Sequence, residues 1–161
     1  MRNLRFYPVV LLAVMVLPVL ASGQQLTIQD ESGKQTILVR ADLEALPRVK
    51  ITTSSSSSSA TFEGVALDSV MEKAGVGLGE TMKGKRMASY LLVEAADGYR
   101  VVFALPEIDR AFTDKRVVLA FLKDGKPLDA KEGPYRIVVP DEKRMARSVR
   151  QVTTLKIVAA P

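Results

Sequence analysis

The chain has 161 residues, with 23 Lys and Arg against 18 Asp and Glu, and it contains no cysteine, histidine or tryptophan. Those absences exclude disulfides, thiolate chemistry, imidazole metal ligands and every Ser-His or Cys-His catalytic arrangement. A formal charge of +5 is too small for a nucleic-acid footprint, and removal of the leader described next reduces it further.

Residues 1–23 have the layout of a secretory signal peptide. Arg2 and Arg5 precede an uncharged apolar run from Phe6 to Leu20, and the small residues Ala21-Ser22-Gly23 follow. Pro8 and Pro18, in a run shorter than the roughly 20 apolar residues a bilayer requires, argue against an uncleaved spanning helix. Cleavage is expected before Gln24, or otherwise before Ser22. That leaves residues 24–161 as one periplasmic or secreted domain with no membrane span. Losing Arg2 and Arg5 leaves 21 basic residues against 18 acidic ones, a mildly basic protein.

Leu26–Gln29 and Gln35–Val39 alternate polar and apolar residues around Asp30-Glu31-Ser32-Gly33-Lys34, which predicts two short strands joined by a turn. Ala41–Leu46 makes about one and a half helical turns before Pro47 stops it. Arg48–Thr53 alternates again as a strand and runs directly into six serines, Ser54–Ser59. The segment before the serines is too small to own a core, so the tract is expected to be a loop within a single domain rather than a linker.

Ala60–Val65 reads as a strand. Leu67, Val70, Met71 and Ala74 then fall at i, i+3, i+4 and i+7, predicting a helix that Gly75 ends. Residues 77–86 (GLGETMKGKR) are expected to form a mobile surface loop. Tyr90–Ala95 and Tyr99–Phe103 flank Ala96-Asp97-Gly98, a strong hairpin signal. A short helix over Leu105–Asp109, a buried strand over Val117–Leu122, a turn over Lys123–Pro127 and a strand over Tyr135–Val139 follow. Val149–Val152 and Thr153–Val158 supply the last strand material. Many short strands and few short helices predict an α+β domain, mostly β, with the helices packed on one side.

Three groups of residues are candidates for binding. The serine tract offers hydroxyl and amide groups to an oxyanion, or is a solvated loop. Lys143, Arg144, Arg147 and Arg150 form a basic stretch after Pro140, suited to phosphate or to a charged surface alone. Arg100 and Tyr99 follow the Asp97-Gly98 turn; Arg100 either faces a pocket or pairs with Glu94 or Glu107. Asp68, Asp97 and Glu107 serve as acid or base only if they converge, and capping and turn formation already account for the two aspartates.

The segments FEGVALDSVMEKAG (62–75), VEAADGYRVVFALPEID (93–109), FLKDGKPLDAKEGPYRIVVP (121–140) and RSVRQVTTLKIV (147–158) follow one another in an order that resembles the oxidoreductase molybdopterin-binding domain of sulfite oxidase and its bacterial relatives. The resemblance spans roughly Leu26 to Val158. It implies an α+β fold, a mostly β mixed sheet with a few short helices. It also implies a site in which a cysteine, in the loop after the strand matching Val49–Thr53, binds molybdenum while basic side chains and backbone amides hold the anionic pterin. Here that loop is Ser54–Ser59, and neither cysteine nor histidine exists anywhere in the chain. A serine hydroxyl is a poor neutral substitute for a soft thiolate.

The resemblance therefore implies an exported binding or accessory module that keeps the scaffold without the metal-ligating thiol. Its ligand would be a small anion, a pterin-like molecule or an envelope protein partner, with Ser54, Ser55, Ser56, Ser57, Arg100, Arg147 and Arg150 as contact residues. No cofactor is firmly expected, although the resemblance admits molybdopterin. The rival is a periplasmic molybdopterin-dependent oxidoreductase, or a subunit of one, which requires the serine loop, Arg100, Arg147 and Arg150 to converge in one deep pocket. A third class, an interaction module, requires an exposed sheet edge or apolar patch.

Overall fold

The computed structural model describes residues 24–54 and 59–160. β1 (Gln25–Gln29) and β2 (Gln35–Val39) form a first hairpin. α1 (Arg40–Glu44) leads into β3 (Arg48–Ser54), which turns back as β4 (Ser59–Ala66) and continues into α2 (Leu67–Lys73). β5 (Tyr90–Ala95) and β6 (Arg100–Ala104) form another hairpin, followed by α3 (Leu105–Ile108). β7 (Val118–Lys123), β8 (Lys126–Pro127), β9 (Arg136–Val138) and β10 (Val152–Val158) complete the chain.

The strands make two five-stranded sheets. The first has the order β2-β1-β10-β5-β6, with β1 parallel to β10 and every other pair antiparallel. The second has the order β3-β4-β7, and β8 and β9 both pair with β7. Alternation explains the first sheet: β5 buries Leu91, Val93 and Ala95 and turns Tyr90, Leu92 and Glu94 outward. Its inner face packs on Leu119, Phe121, Val65 and Ile137 of the second sheet.

Within the second sheet β7 is covered on both faces, so it reads as an unbroken apolar run with Val118 to Phe121 all buried. Its other face carries a smaller cluster of Phe62, Val118, Ala120 and Val138. Gly64 lies opposite Ala120 beside a register shift, where a methyl group would overlap the Leu119 carbonyl oxygen. α2 buries Leu67, Val70 and Met71. Gly75, at φ +82, ends it, with Val76 N–H donating to the Met71 carbonyl at 2.9 Å and Gly75 N–H to that of Glu72 at 3.0 Å.

Several expectations differ from the structure. α1 touches both β2 and β4, so it bridges the two sheets instead of joining a one-sided helical layer. The segment 149–151 is not strand: Gln151 adopts φ +50, and its N–H donates to the Glu132 carbonyl at 3.0 Å. Residues 77–86 contain 3-10 turns at Gly79–Thr81 and from Gly84 onward. Arg86 ties them down through Glu31 at 3.0 Å and Thr81 at 2.6 Å. The serine tract agrees with its expectation as a loop within one domain, since it joins two strands of one hairpin whose last register pair is Ser54 with Ser59. Among the described residues no helix is long and apolar enough to cross a membrane.

Candidate anion-binding site

The outer face of the second sheet ends in a basic cavity of about 200 Å³. Phe62 of β4 forms part of its floor, Thr53 and Ser54 at the end of β3 form its rim, and Lys123, Arg136 and Arg150 supply cations. Register explains the convergence: Phe62 pairs with Lys123, Gly64, next but one along β4, pairs across the register shift with Ala120, and Ala120 pairs with Arg136. Arg136 therefore points out of the small apolar cluster beside Phe62. Its guanidinium carbon stands 4.8 Å from the Phe62 ring centroid.

Arg136 is the unusual group. It is only 6% exposed, yet it sits in a strand that is otherwise apolar. Nη1 donates to Glu132, whose other oxygen lies 3.2 Å from Lys123 Nζ. Nε is buried and has no hydrogen-bond partner among the described residues. Burial lowers the Arg136 pKa from its ordinary value and the like charge of Arg150 adds to this, while Glu132 opposes it; an arginine remains cationic at neutral pH throughout. Three cations against one carboxylate leave the lining with two surplus positive charges. An orphaned donor beside such a surplus is suited to an acceptor-rich anion.

A second cavity, about 190 Å³, shares Arg136, Met145 and Arg150 with the first and extends toward Asp97, Tyr99 and Ser148. The Tyr99 hydroxyl is already committed, donating to the Ala146 carbonyl at 2.8 Å.

The residues singled out from sequence divide. Ser54 lines the first cavity and Arg150 lines both; Arg150 makes no ion pair among the described residues. Ser55, Ser56 and Ser57 lie outside the described residues. Arg100 does not join the group: on the outer face of the β5–β6 hairpin it pairs with Glu94 at 3.0 Å, its side chain 67% exposed. Arg147 does not join it either. It is held between Glu142 and Glu107, 4.9 Å above the Phe103 ring, and lines a separate cavity.

The possible acid and base groups do not converge. Asp68 is buried against Arg110 at 2.7 Å, Asp97 accepts the Tyr99 N–H in its turn, and Glu107 pairs with Arg147. The sequence reading missed Lys123, Glu132 and Arg136. One signal for the last two is present in the sequence: a lone arginine inside Tyr135–Val139 with a carboxylate four positions earlier, since charges are rarely buried unless paired.

The model of the oxidoreductase molybdopterin-binding domain matches residues 15–161. The sulfane dehydrogenase SoxCD from Paracoccus pantotrophus contains a chain of similar structure, with a TM-score of 0.63 and 22% identity. The match covers 84% of this chain and 38% of that one, so this chain spans well under half the length of that neighbour. No curated protein matches it significantly.

The residues present fit one half of a molybdopterin group and not the other. Lys123, Arg136 and Arg150 suit a phosphate. The metal has no thiolate or imidazole anywhere in the chain, and among the described residues no cluster of carboxylates that could hold a metal ion. The cavity is also smaller than the roughly 300–1,000 Å³ of ordinary cofactor sites.

Proposed function

Because the chain belongs to the oxidoreductase molybdopterin-binding domain family, we propose that it is an exported member that binds an anion without metal-based catalysis, as a binding or accessory module of the cell envelope. Supporting this are the inherited scaffold, the lack of soft metal donors and, above all, the buried Arg136, which lines a cavity with surplus positive charge and whose Nε has no hydrogen-bond partner among the described residues. The ligand is a tetrahedral oxyanion such as sulfate or phosphate, free or as the end group of a larger molecule. It would sit among Ser54, Lys123, Arg136 and Arg150.

Calorimetric titration with sulfate and phosphate tests this reading. Arg150 is exposed and makes no ion pair among the described residues, so Arg150→Ala should leave the fold intact and weaken binding roughly tenfold, the worth of one charge-assisted contact. Absence of binding in the wild-type chain would overturn it. Export rests on the leader over residues 1–23, and a mature chain whose mass begins at Gln24 would support it.

The second reading is a periplasmic oxidoreductase holding a pterin across the two adjoining cavities. What favours it is that they share Arg136, Met145 and Arg150. It requires a metal anchored without a protein thiolate.

A further inference from the structure

A third cavity, about 350 Å³, opens between the end of β6, α3, the segment 109–117 and Val139. It shares no lining residue with the basic cavity. Its floor is apolar: Phe103 and Val139 are each 1% exposed and Val117 4%. Phe112 stands at its edge with 48% of its surface in solvent. A large aromatic left open beside an apolar floor has hydrophobic area still to bury.

The polar part of the lining is asymmetric. Arg147 is fully engaged, with Nη1 donating to Glu107 at 2.9 Å and both Nε and Nη2 donating to Glu142. Lys115 is not engaged, because its ammonium group makes no ion pair or hydrogen bond among the described residues. The cavity therefore offers one free positive charge, and Glu107 nearby disfavours a second negative one.

The segment carrying Phe112 and Lys115 is fixed from beneath. Asp109 is 2% exposed; its Oδ1 accepts the Ala111 N–H at 2.9 Å. Its carbonyl accepts the N–H groups of Phe112 at 2.9 Å and Thr113 at 3.2 Å. Thr113 Oγ1 in turn accepts the Lys115 N–H at 3.1 Å. The backbone that carries the exposed ring and the free cation is thus held in place before any ligand arrives.

We propose that this cavity binds a small monocarboxylate with a compact aromatic body, its ring against Phe112 and the Phe103 floor and its carboxylate on Lys115. The volume lies in the range of small-molecule sites, the exposed phenyl ring supplies a stacking partner, and the single free cation sets the charge.

The test uses 3-phenylpropionate, titrated into the full chain and followed by amide NMR shifts and calorimetry. Its uncharged amide, and the Lys115→Ala and Phe112→Ala variants, are run alongside, with thermal unfolding as a check on folding. The expected result is saturable binding with shifts centred on residues 112–117. Affinity should fall roughly tenfold or more for Lys115→Ala, for Phe112→Ala and for the amide, while sulfate does not compete. No saturable binding, a smaller loss in a folded Lys115→Ala variant, or competition by sulfate would overturn the proposal.

Discussion

A guanidinium enclosed as fully as that of Arg136 is stable only where its charge is met, and Glu132, shared with Lys123, meets it. Removing the carboxylate leaves two cations beside each other with nothing between them. Glu132→Ala should therefore destabilise the fold by about 3–5 kcal/mol, read as a lower urea midpoint. Replacing both partners, as Glu132→Leu with Arg136→Met, should recover much of that stability, because an apolar pair costs no charge desolvation. The double variant should still lose sulfate binding. Recovery of both stability and binding would show that Arg136 is structural alone. Ser54 and Arg150 were accessible to sequence reasoning because the serine tract and the basic stretch after Pro140 stand out in composition. Lys123 was not, since it looks like an ordinary turn residue until strand register sets it opposite Phe62.

Among the elements, the hairpins were the most legible. Asp97-Gly98 and Asp124-Gly125 mark their turns through glycines at φ +84 and +76, and the helical face of Leu67, Val70 and Met71 is fully buried as its spacing predicts. Segment 149–151 was misread because the β-branched Val149 and Val152 that frame it say nothing about Gln151, which takes φ +50. The surface loop 77–86 was legible, but its 3-10 turns and its anchors were not, because Glu31 and Asp109 are distant in sequence. The β3–β4 hairpin that carries the serines has its own fastening. Glu63 lies directly opposite Lys50, and hydrogen bonds first from Lys50 and then from Arg48 hold its pKa below the usual glutamate value. A depressed folded pKa contributes stability that is present above the unfolded value and lost as pH falls through the folded one. An NMR titration should place the Glu63 midpoint below that of an unstructured glutamate, and Lys50→Met should move it upward. An unchanged midpoint would mean that the ion pair does not persist in solution.

At the scale of the molecule, the first and last strands of the described chain lie side by side, β1 parallel to β10, and β10 runs through the middle of the first sheet. The first sheet packs on one face of the second through the main core, and the basic cavity lies with the smaller cluster on the other. The fold class and family were legible because four ordered segments carry them, whereas the division of the arginines between two cavities and a sheet face depends on tertiary placement that spacing does not encode. What the family scaffold lacks here is a soft donor at the hairpin that would anchor a metal. The most direct measurement is the molybdenum and tungsten content of the protein purified from cells that make it naturally, with sulfate titrated into the same sample. The expected result is far less than one metal per chain together with saturable sulfate binding. One tightly held equivalent of either metal would contradict it.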